Sequence, residues 1–224
     1  MAILRQRLEV STKRSLLVGL SGIDGAGKGF LSAKMAALLE QQHGLNIGHI
    51  SVDGWLNLPQ VRFDQRQPAE HFYQHAIRFD EMFSQLILPL RDRRRIHLVA
   101  DYAEEIAQEY RPHTYHFADI DIIILEGIYL FKRAYRPNFD LACWIDCTFQ
   151  TALERALQRG QEGLPPDETI RVYQTIYFPA QQIHFKRDNP RTAADLIINN
   201  DPRLSRSNGH GQAGEQAIQE PDKI

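Results

Sequence analysis

The sequence predicts an open α/β sheet with buried parallel strands. Three observations carry that prediction. The apolar run Leu16-Leu17-Val18-Gly19-Leu20 leads into a glycine-rich loop and then into a stretch of strong helix formers, Phe30 to Leu39. A second run, Ile122-Ile123-Ile124-Leu125, is apolar at every position, as a strand covered on both faces must be. Further short strand candidates alternate with helical stretches along the rest of the chain.

The loop after the first strand reads Gly22-Ile23-Asp24-Gly25-Ala26-Gly27-Lys28-Gly29, followed by Phe30. Glycines let the backbone curl around an anion and turn several N–H groups inward. The N-terminus of the following helix adds partial positive charge, and Lys28 can reach β- and γ-phosphates. Strand, glycine loop and helix together predict a phosphate-binding loop from Gly22 to Phe30. Its last position departs from the usual pattern: Gly29 stands where nucleotide-binding loops carry a Ser or Thr whose hydroxyl ligates Mg²⁺. Ser32 lies a turn further on, and a water could fill the gap, because Mg²⁺ keeps several waters.

The first helix should stop at Gly44, and Asn46 to Val52 reads as a second strand ending at Asp53-Gly54-Trp55. Ligands of open α/β sheets sit beyond the carboxyl ends of strands. Asp53 is therefore placed to accept a proton from a substrate hydroxyl or to help hold Mg²⁺; Asp-Gly is also a common turn dipeptide. Asn57 to Ala69 is polar, contains Pro59 and Pro68, and reads as a loop. Phe72, Ala76, Phe79, Phe83, Leu86 and Leu90 recur at helical spacing and predict one helix stopping at Pro89. His71 and His75 on it lie at i, i+4 without an evident third ligand. The Arg91-to-Arg95 basic run reads as a solvated turn before a strand, Arg95 to Ala100, that ends at Asp101-Tyr102. Ala103 to Phe117 is expected to be a loop or short hairpin over the site.

Glu126 closes the second buried strand, where phosphate-loop enzymes place an acid that orients the metal through water. Leu141 to Asp146 gives another strand, Thr148 caps a helix running to about Arg159, and Arg155 and Arg159 share one face of it. A Gly- and Pro-rich connector follows. Asp167 is expected to cap the next helix, which Pro179 should kink. Two helices around an arginine-bearing connector suggest a lid over residues 155–170. Ala194 to Asn199 reads as a last strand.

The chain has 224 residues, 43% of them apolar, enough for one core; residues 1–14 form a lead-in, 15–203 the folded domain and 204–224 a polar tail expected to be disordered. A net charge of −2 gives no reason to expect nucleic acid or acidic membranes as partners. No apolar run reaches membrane-spanning length, and the N-terminal region lacks a signal-peptide pattern. Two cysteines, Cys143 and Cys147, make neither a disulfide framework nor a zinc site, which fits a reduced cytoplasmic compartment.

Together the Gly22–Gly29 loop, Val52-Asp53-Gly54-Trp55, Ile124-Leu125-Glu126-Gly127-Ile128, Arg155 and Arg159 after Asp146, Tyr177-Phe178-Pro179 and Ala194 to Asn199 resemble the uridine kinase branch of the uridine kinase/phosphoribulokinase family. The resemblance runs from about Leu16 to Asp201. It implies a P-loop NTPase-type, doubly wound, mostly parallel sheet flanked by helices, with a small helical lid. It implies phosphoryl transfer from ATP, with Mg²⁺, to a hydroxyl of a small molecule, classically uridine or cytidine. Asp53 matches the family's base, Lys28 its loop lysine, Glu126 its metal-orienting acid, and Arg155 and Arg159 its lid arginines. Trp55 and Tyr102 fall where such kinases place substrate contacts. Other acceptors, such as pantothenate, ribulose phosphate or nicotinamide riboside, stay open, as does a nucleotide-binding regulator that has lost catalysis. The chain departs from the family at Gly29, at Asp53-Gly54-Trp55-Leu56 in place of Asp-Ser-Phe-Tyr, and in an arginine-poor lid, Arg159-Gly160-Gln161-Glu162-Gly163.

Overall fold

The computed structural model describes residues 13–204. The expectations for most of the lead-in and for the polar tail lie outside the described residues.

Five strands form one parallel sheet: β1 (Leu16–Gly22), β2 (Ile47–Ser51), β5 (Ile122–Gly127), β6 (Leu141–Asp146) and β7 (Leu196–Asn199). Their spatial order is β2-β5-β1-β6-β7. From β1 the chain passes to the edge strand β2, returns to β5 between them, and then crosses to β6 and β7 on the other side of β1, which makes the sheet doubly wound and leaves a crevice at the carboxyl ends beside β1. Every residue of β1 and β5 is buried, which explains their unbroken apolar sequence. Packing there is tight: a side chain on Gly19 would meet the Phe139 and Phe131 rings within 2.8 Å. Helix α1 (Lys28–His43) packs on β1, β2 and β5 and ends, as expected, at a left-handed Gly44.

The remaining two strands, β3 (Ile96–Tyr102) and β4 (Arg111–Phe117), pair antiparallel as a separate hairpin. The hairpin is tied to the sheet through its tip-side connection, since Ala103 bridges Trp55 and donates its N–H to Gly54 O at 3.3 Å. The segment 57–69, expected as a loop, contains a short helix, α2 (Pro59–Arg62), and the start of α3 (Pro68–His75).

The single helix expected over 72–90 is two. Helix α3 ends at His75, the chain turns at 76–78, and α4 spans 79–93. Pro89 does not stop it. A π-helical turn, Phe83–Ile87, precedes the proline, and Leu88 N–H reaches back to Phe83 O. Widening the helix by one residue makes room for a ring that would otherwise clash with the carbonyl four residues back. The same device recurs in α6 (166–188), where the π-helical Tyr173–Tyr177 precedes Pro179 and Phe178 N–H reaches Tyr173 O. Pro179 is thus carried by a π turn within a continuous helix. Helix α5 (Phe149–Arg159) starts at Thr148, whose hydroxyl accepts from Thr151 N–H. Asp167 lies in the first turn of α6 and Pro165 takes the cap position instead. No helix among the described residues is long and apolar enough to cross a membrane.

Candidate active site

The phosphate loop sits at the carboxyl end of β1, the middle strand. Gly25 (φ 75°) and Gly27 (φ 85°) both have left-handed backbones, which only glycine adopts without strain. At Gly25 a side chain would also lie 2.5 Å from Ala152 O of α5, so the loop rests directly on that helix. Lys28, the first residue of α1, is buried and its ammonium donates to Ile23 O at 2.9 Å, folded over its own loop. Phe30 is 72% exposed beside it.

Asp53 and Glu126 converge on this loop because of strand register. Ser51 pairs with Glu126 across β2 and β5, and Asp53 follows two residues later in a helical turn, 52–54, capped by Ser51 Oγ. Glu126 is buried and Asp53 opens into the cleft. Burial among protein atoms and the nearby Glu126 carboxylate push the Asp53 pKa up to about 6, against the opposing pull of Lys28. Gly29 lies beside them: a side chain there would start 3.9 Å from Glu126 Oε1. Ser32 does not take over from the missing hydroxyl. It is fully buried, donates to Gly29 O at 3.0 Å and contacts His49 Nε2 at 2.8 Å.

The two α5 arginines, paired by the sequence pattern, separate in role. Arg159 lines the cleft and lies 3.6 Å from Asp24 of the loop and 2.9 Å from Glu162 of the connector. The Tyr173 hydroxyl lies within hydrogen-bond reach of both Asp24 and Glu162, the latter at 2.8 Å, with one proton to give to either carboxylate. Connector and loop are thereby held together through Asp24. Arg155 stays behind the loop. It donates to Asn200 O at 2.8 Å and Gly25 O at 3.4 Å, and Asn200 in turn donates to Ala26 O at 2.8 Å. Expected among the catalytic residues, it is not among those lining the cleft and it braces the loop from behind.

Two expected substrate contacts are also displaced. Trp55 is completely buried, stacked 5.9 Å from the Tyr115 ring with Arg78 5.2 Å over it. It joins the turn after β2 to the hairpin and has no face toward the cleft. Tyr102 packs on Gly54, next to Asp53, with Arg111 4.7 Å over its ring, and is not part of the cleft wall.

The cleft holds about 350 Å³. Beyond Asp53 its far end is built from residues that the sequence did not assign to a site. Leu56, Phe72 and Tyr177 give an apolar wall, the two rings 4.8 Å apart. Glu105, from the 103–110 segment, pairs with the buried Arg62 at 3.3 Å and accepts from Tyr177 at 3.4 Å. Gln181 of α6 completes this end and is 1% exposed. One signal for it was present: 181 and 184 lie one and two turns after the buried Tyr177, polar residues on an apolar helix face.

The His71 and His75 rings lie 4.4 Å apart, tilted by 42°, with His71 Nε2 on Val61 O at 2.7 Å. Among the described residues no group of three or more His, Cys, Asp or Glu side chains is placed to hold a metal by itself.

No protein-family model matches the chain. Solved structures do. A possible uridine kinase from Bacillus stearothermophilus is 18% identical, covering 88% of this chain and 95% of its own, with a TM-score of 0.66. A candidate fructose transport system kinase from Silicibacter sp. TM1040 is 22% identical over 88% and 97%, with a TM-score of 0.65. D-glycerate 3-kinase from Cryptococcus neoformans is 12% identical over 88% and 93%, with a TM-score of 0.56. At these identities the likeness establishes the fold.

Proposed function

We propose that the protein is an ATP-dependent kinase that phosphorylates a hydroxyl of a small molecule, a nucleoside such as uridine or cytidine being the first candidate. The observation that carries this reading is the convergence of Asp53 and Glu126 on Lys28 and the phosphate loop, at the mouth of a cleft with room for a second substrate. The similar structures described as kinases of uridine, a transported sugar and glycerate support phosphoryl transfer as the shared chemistry. The same reading makes residues 15–203 the kinase domain and 155–170 its lid.

Each residue then has a defined task. The loop's N–H groups and the α1 N-terminus cradle the phosphates. Lys28 releases Ile23 O and turns to the β- and γ-phosphates. Asp53 orients the acceptor hydroxyl and takes its proton, a task suited to a carboxylate with a pKa near 6. Arg159 offsets charge developing on the transferred group and, with the lid closed, water is excluded. The two carboxylates also fit Mg²⁺, a hard cation that keeps several waters and takes few protein ligands. Mg²⁺ held through water by Asp53 and Glu126 would neutralise β- and γ-phosphate oxygens.

The test is ADP release with ATP and Mg²⁺ against uridine, cytidine, sugars, pantothenate, glycerate and sugar phosphates, with product mass confirmed. Acceptor-dependent ADP release is expected; none, from protein shown to bind ATP, would refute the reading. One observation favours a second reading, a nucleotide-binding regulator without turnover: no hydroxyl stands at Gly29, and Ser32 faces away. Gly29→Ser has space beside Glu126. An active parent whose Mg²⁺ requirement merely tightens in Gly29→Ser supports the kinase. A silent parent that gains activity in Gly29→Ser supports the regulator.

A further inference from the structure

The phosphate loop carries an anion of its own, Asp24, and that carboxylate is tied to the connector after α5. Building on the kinase reading, we propose that Asp24, Arg159, Glu162 and Tyr173 form a latch that draws the connector onto the loop. Nucleotide phosphates release it by taking Arg159 from the two carboxylates, and Tyr173 is the positioning residue that sets how firmly it holds.

The contacts come first. Asp24 Oδ1 accepts from Gly25 N–H at 2.9 Å, and its Oδ2 lies 3.6 Å from the Arg159 guanidinium. Glu162, three residues beyond Arg159, accepts from the same guanidinium at 2.9 Å. Tyr173, from the π turn of α6, reaches both carboxylates and stands 3.4 Å from the guanidinium. Lys28 donates to Ile23 O. A loop amide, Lys28 and Arg159 are the donors that the kinase reading gives to the phosphates, and the protein engages each of them itself. Charge-assisted bonds to a phosphoryl group and to these carboxylates call on the same guanidinium, so the two sets of anions compete for it. Arg155, one turn earlier, is held by the carbonyl oxygens of Gly25 and Asn200, where no charge is exchanged.

Two features make this a latch that opens, and not a fixed brace. The cluster is short of donors. Apart from the Gly25 amide, one guanidinium and one hydroxyl serve two carboxylates, and Tyr173 has one proton to give to either. Among the described residues Glu162 Oε2 is buried and has no hydrogen-bond partner, which disfavours the latched arrangement. The connector is also hinged on both sides of Glu162. Gly160 (φ 59°) and Gly163 (φ 66°) have left-handed backbones, and among the described residues nothing lies within 4 Å of where a Gly160 side chain would start. Glycines so placed absorb the backbone rotation that carries Glu162 off the loop.

The experiment measures trypsin cleavage of the nucleotide-free full chain at the Arg159–Gly160 bond, followed by mass. Cleavage needs Arg159 released from its partners, so its rate follows the population of the open connector. Tyr173→Phe changes no charge and keeps the ring against Tyr177 and Phe178. It should be cut at this bond about tenfold faster than the parent, with the parent's Tm. Glu162→Gln, which leaves those rings untouched, should also be cut faster. The second readout is equilibrium binding of a non-hydrolysable ATP analogue with Mg²⁺, and of adenosine. Breaking the latch removes a competitor of the phosphates, so Tyr173→Phe should bind the analogue about threefold more tightly and adenosine no differently. A hydroxyl that only braces the loop would act the other way and weaken the analogue on removal. Cleavage at the parental rate in both variants, or analogue affinity unchanged or weaker in Tyr173→Phe, would overturn the proposal. Faster cleavage and tighter analogue binding without ADP release from any acceptor would instead refute phosphoryl transfer and leave the latch standing.

Discussion

Asp53 faces the cleft, and protein atoms and the Glu126 carboxylate crowd its charged form and push its pKa up to about 6. A base must be deprotonated to act. The kcat/KM of phosphoryl transfer should therefore rise with pH through about 6 and level off above it. Glu126→Gln removes the like charge, so the acidic limb should move to lower pH in addition to any loss of rate. A limb unmoved by that change would show that Glu126 does not set the Asp53 titration. Asp53→Asn should reduce transfer about 10²–10⁴-fold and leave ATP affinity near that of the parent, as equilibrium nucleotide binding would show. Trp55, two residues on, shows the limit of local reading. The family resemblance implied a substrate contact there, and only the approach of Tyr115 and Arg78 from remote parts of the chain makes it core.

Helix α5 is the element where residues of one face part company. Arg155 and Arg159 differ by a single turn, yet the first braces Gly25 and Asn200 while the second borders the cleft. Arg155→Ala should therefore raise the KM for ATP several-fold with a smaller effect on kcat, and Arg159→Ala should do the reverse. Steady-state kinetics of both variants decide it, and identical KM and kcat effects would contradict the division. The start of the same helix is anchored by Asp201, which accepts from Thr148 N–H at 2.8 Å, Thr148 Oγ1 at 2.6 Å and Thr151 Oγ1 at 2.9 Å. These bonds outweigh the desolvation of the carboxylate and hold its pKa well below the usual range. Asp201→Ala should cost about 2–3 kcal/mol at neutral pH, the range for a charge-assisted hydrogen-bond set left unsatisfied. Because the folded pKa is depressed, this stability is present above the unfolded-state value near 4 and fades as pH falls below it. Denaturant unfolding at pH 7 and pH 3 should show the difference between parent and variant shrinking in acid.

Over the whole molecule, the proposed nucleotide site is a meeting of segments far apart in sequence: the β1 loop, the turn after β2, the end of β5, α5 with its connector, and the chain after β7. A ligand that joins them should stabilise the fold as a unit. At 100 times its dissociation constant, ATP should add about 2.7 kcal/mol of stability by mass action, seen as a raised Tm. Lys28→Ala should lose most of that increment while retaining the parent's unliganded Tm. An equal ATP-induced rise in both proteins would place the nucleotide elsewhere.

The sequence alone determined what local chemistry dictates. The strand–glycine loop–helix unit, the buried strand ending in Glu126, the Thr148 cap and the Gly44 stop all follow from residue type and spacing within about one turn or strand, and the structure forms each of them. Tertiary structure decided what depends on partners remote in the chain. The break between α3 and α4 and the π turns that carry Pro89 and Pro179 interrupt helical periodicities that sequence pattern reads as continuous. The same holds for Arg155 as a brace, and for Glu105 and Gln181 at the far end of the cleft. Hydrophobic periodicity reports which face of an element is buried, and it carries no information about which distant side chain will cover that face. The glycine loop was legible because its backbone geometry is encoded in eight consecutive residues; the far wall of the cleft was not, because it exists only where α3, α6 and the 103–110 segment meet.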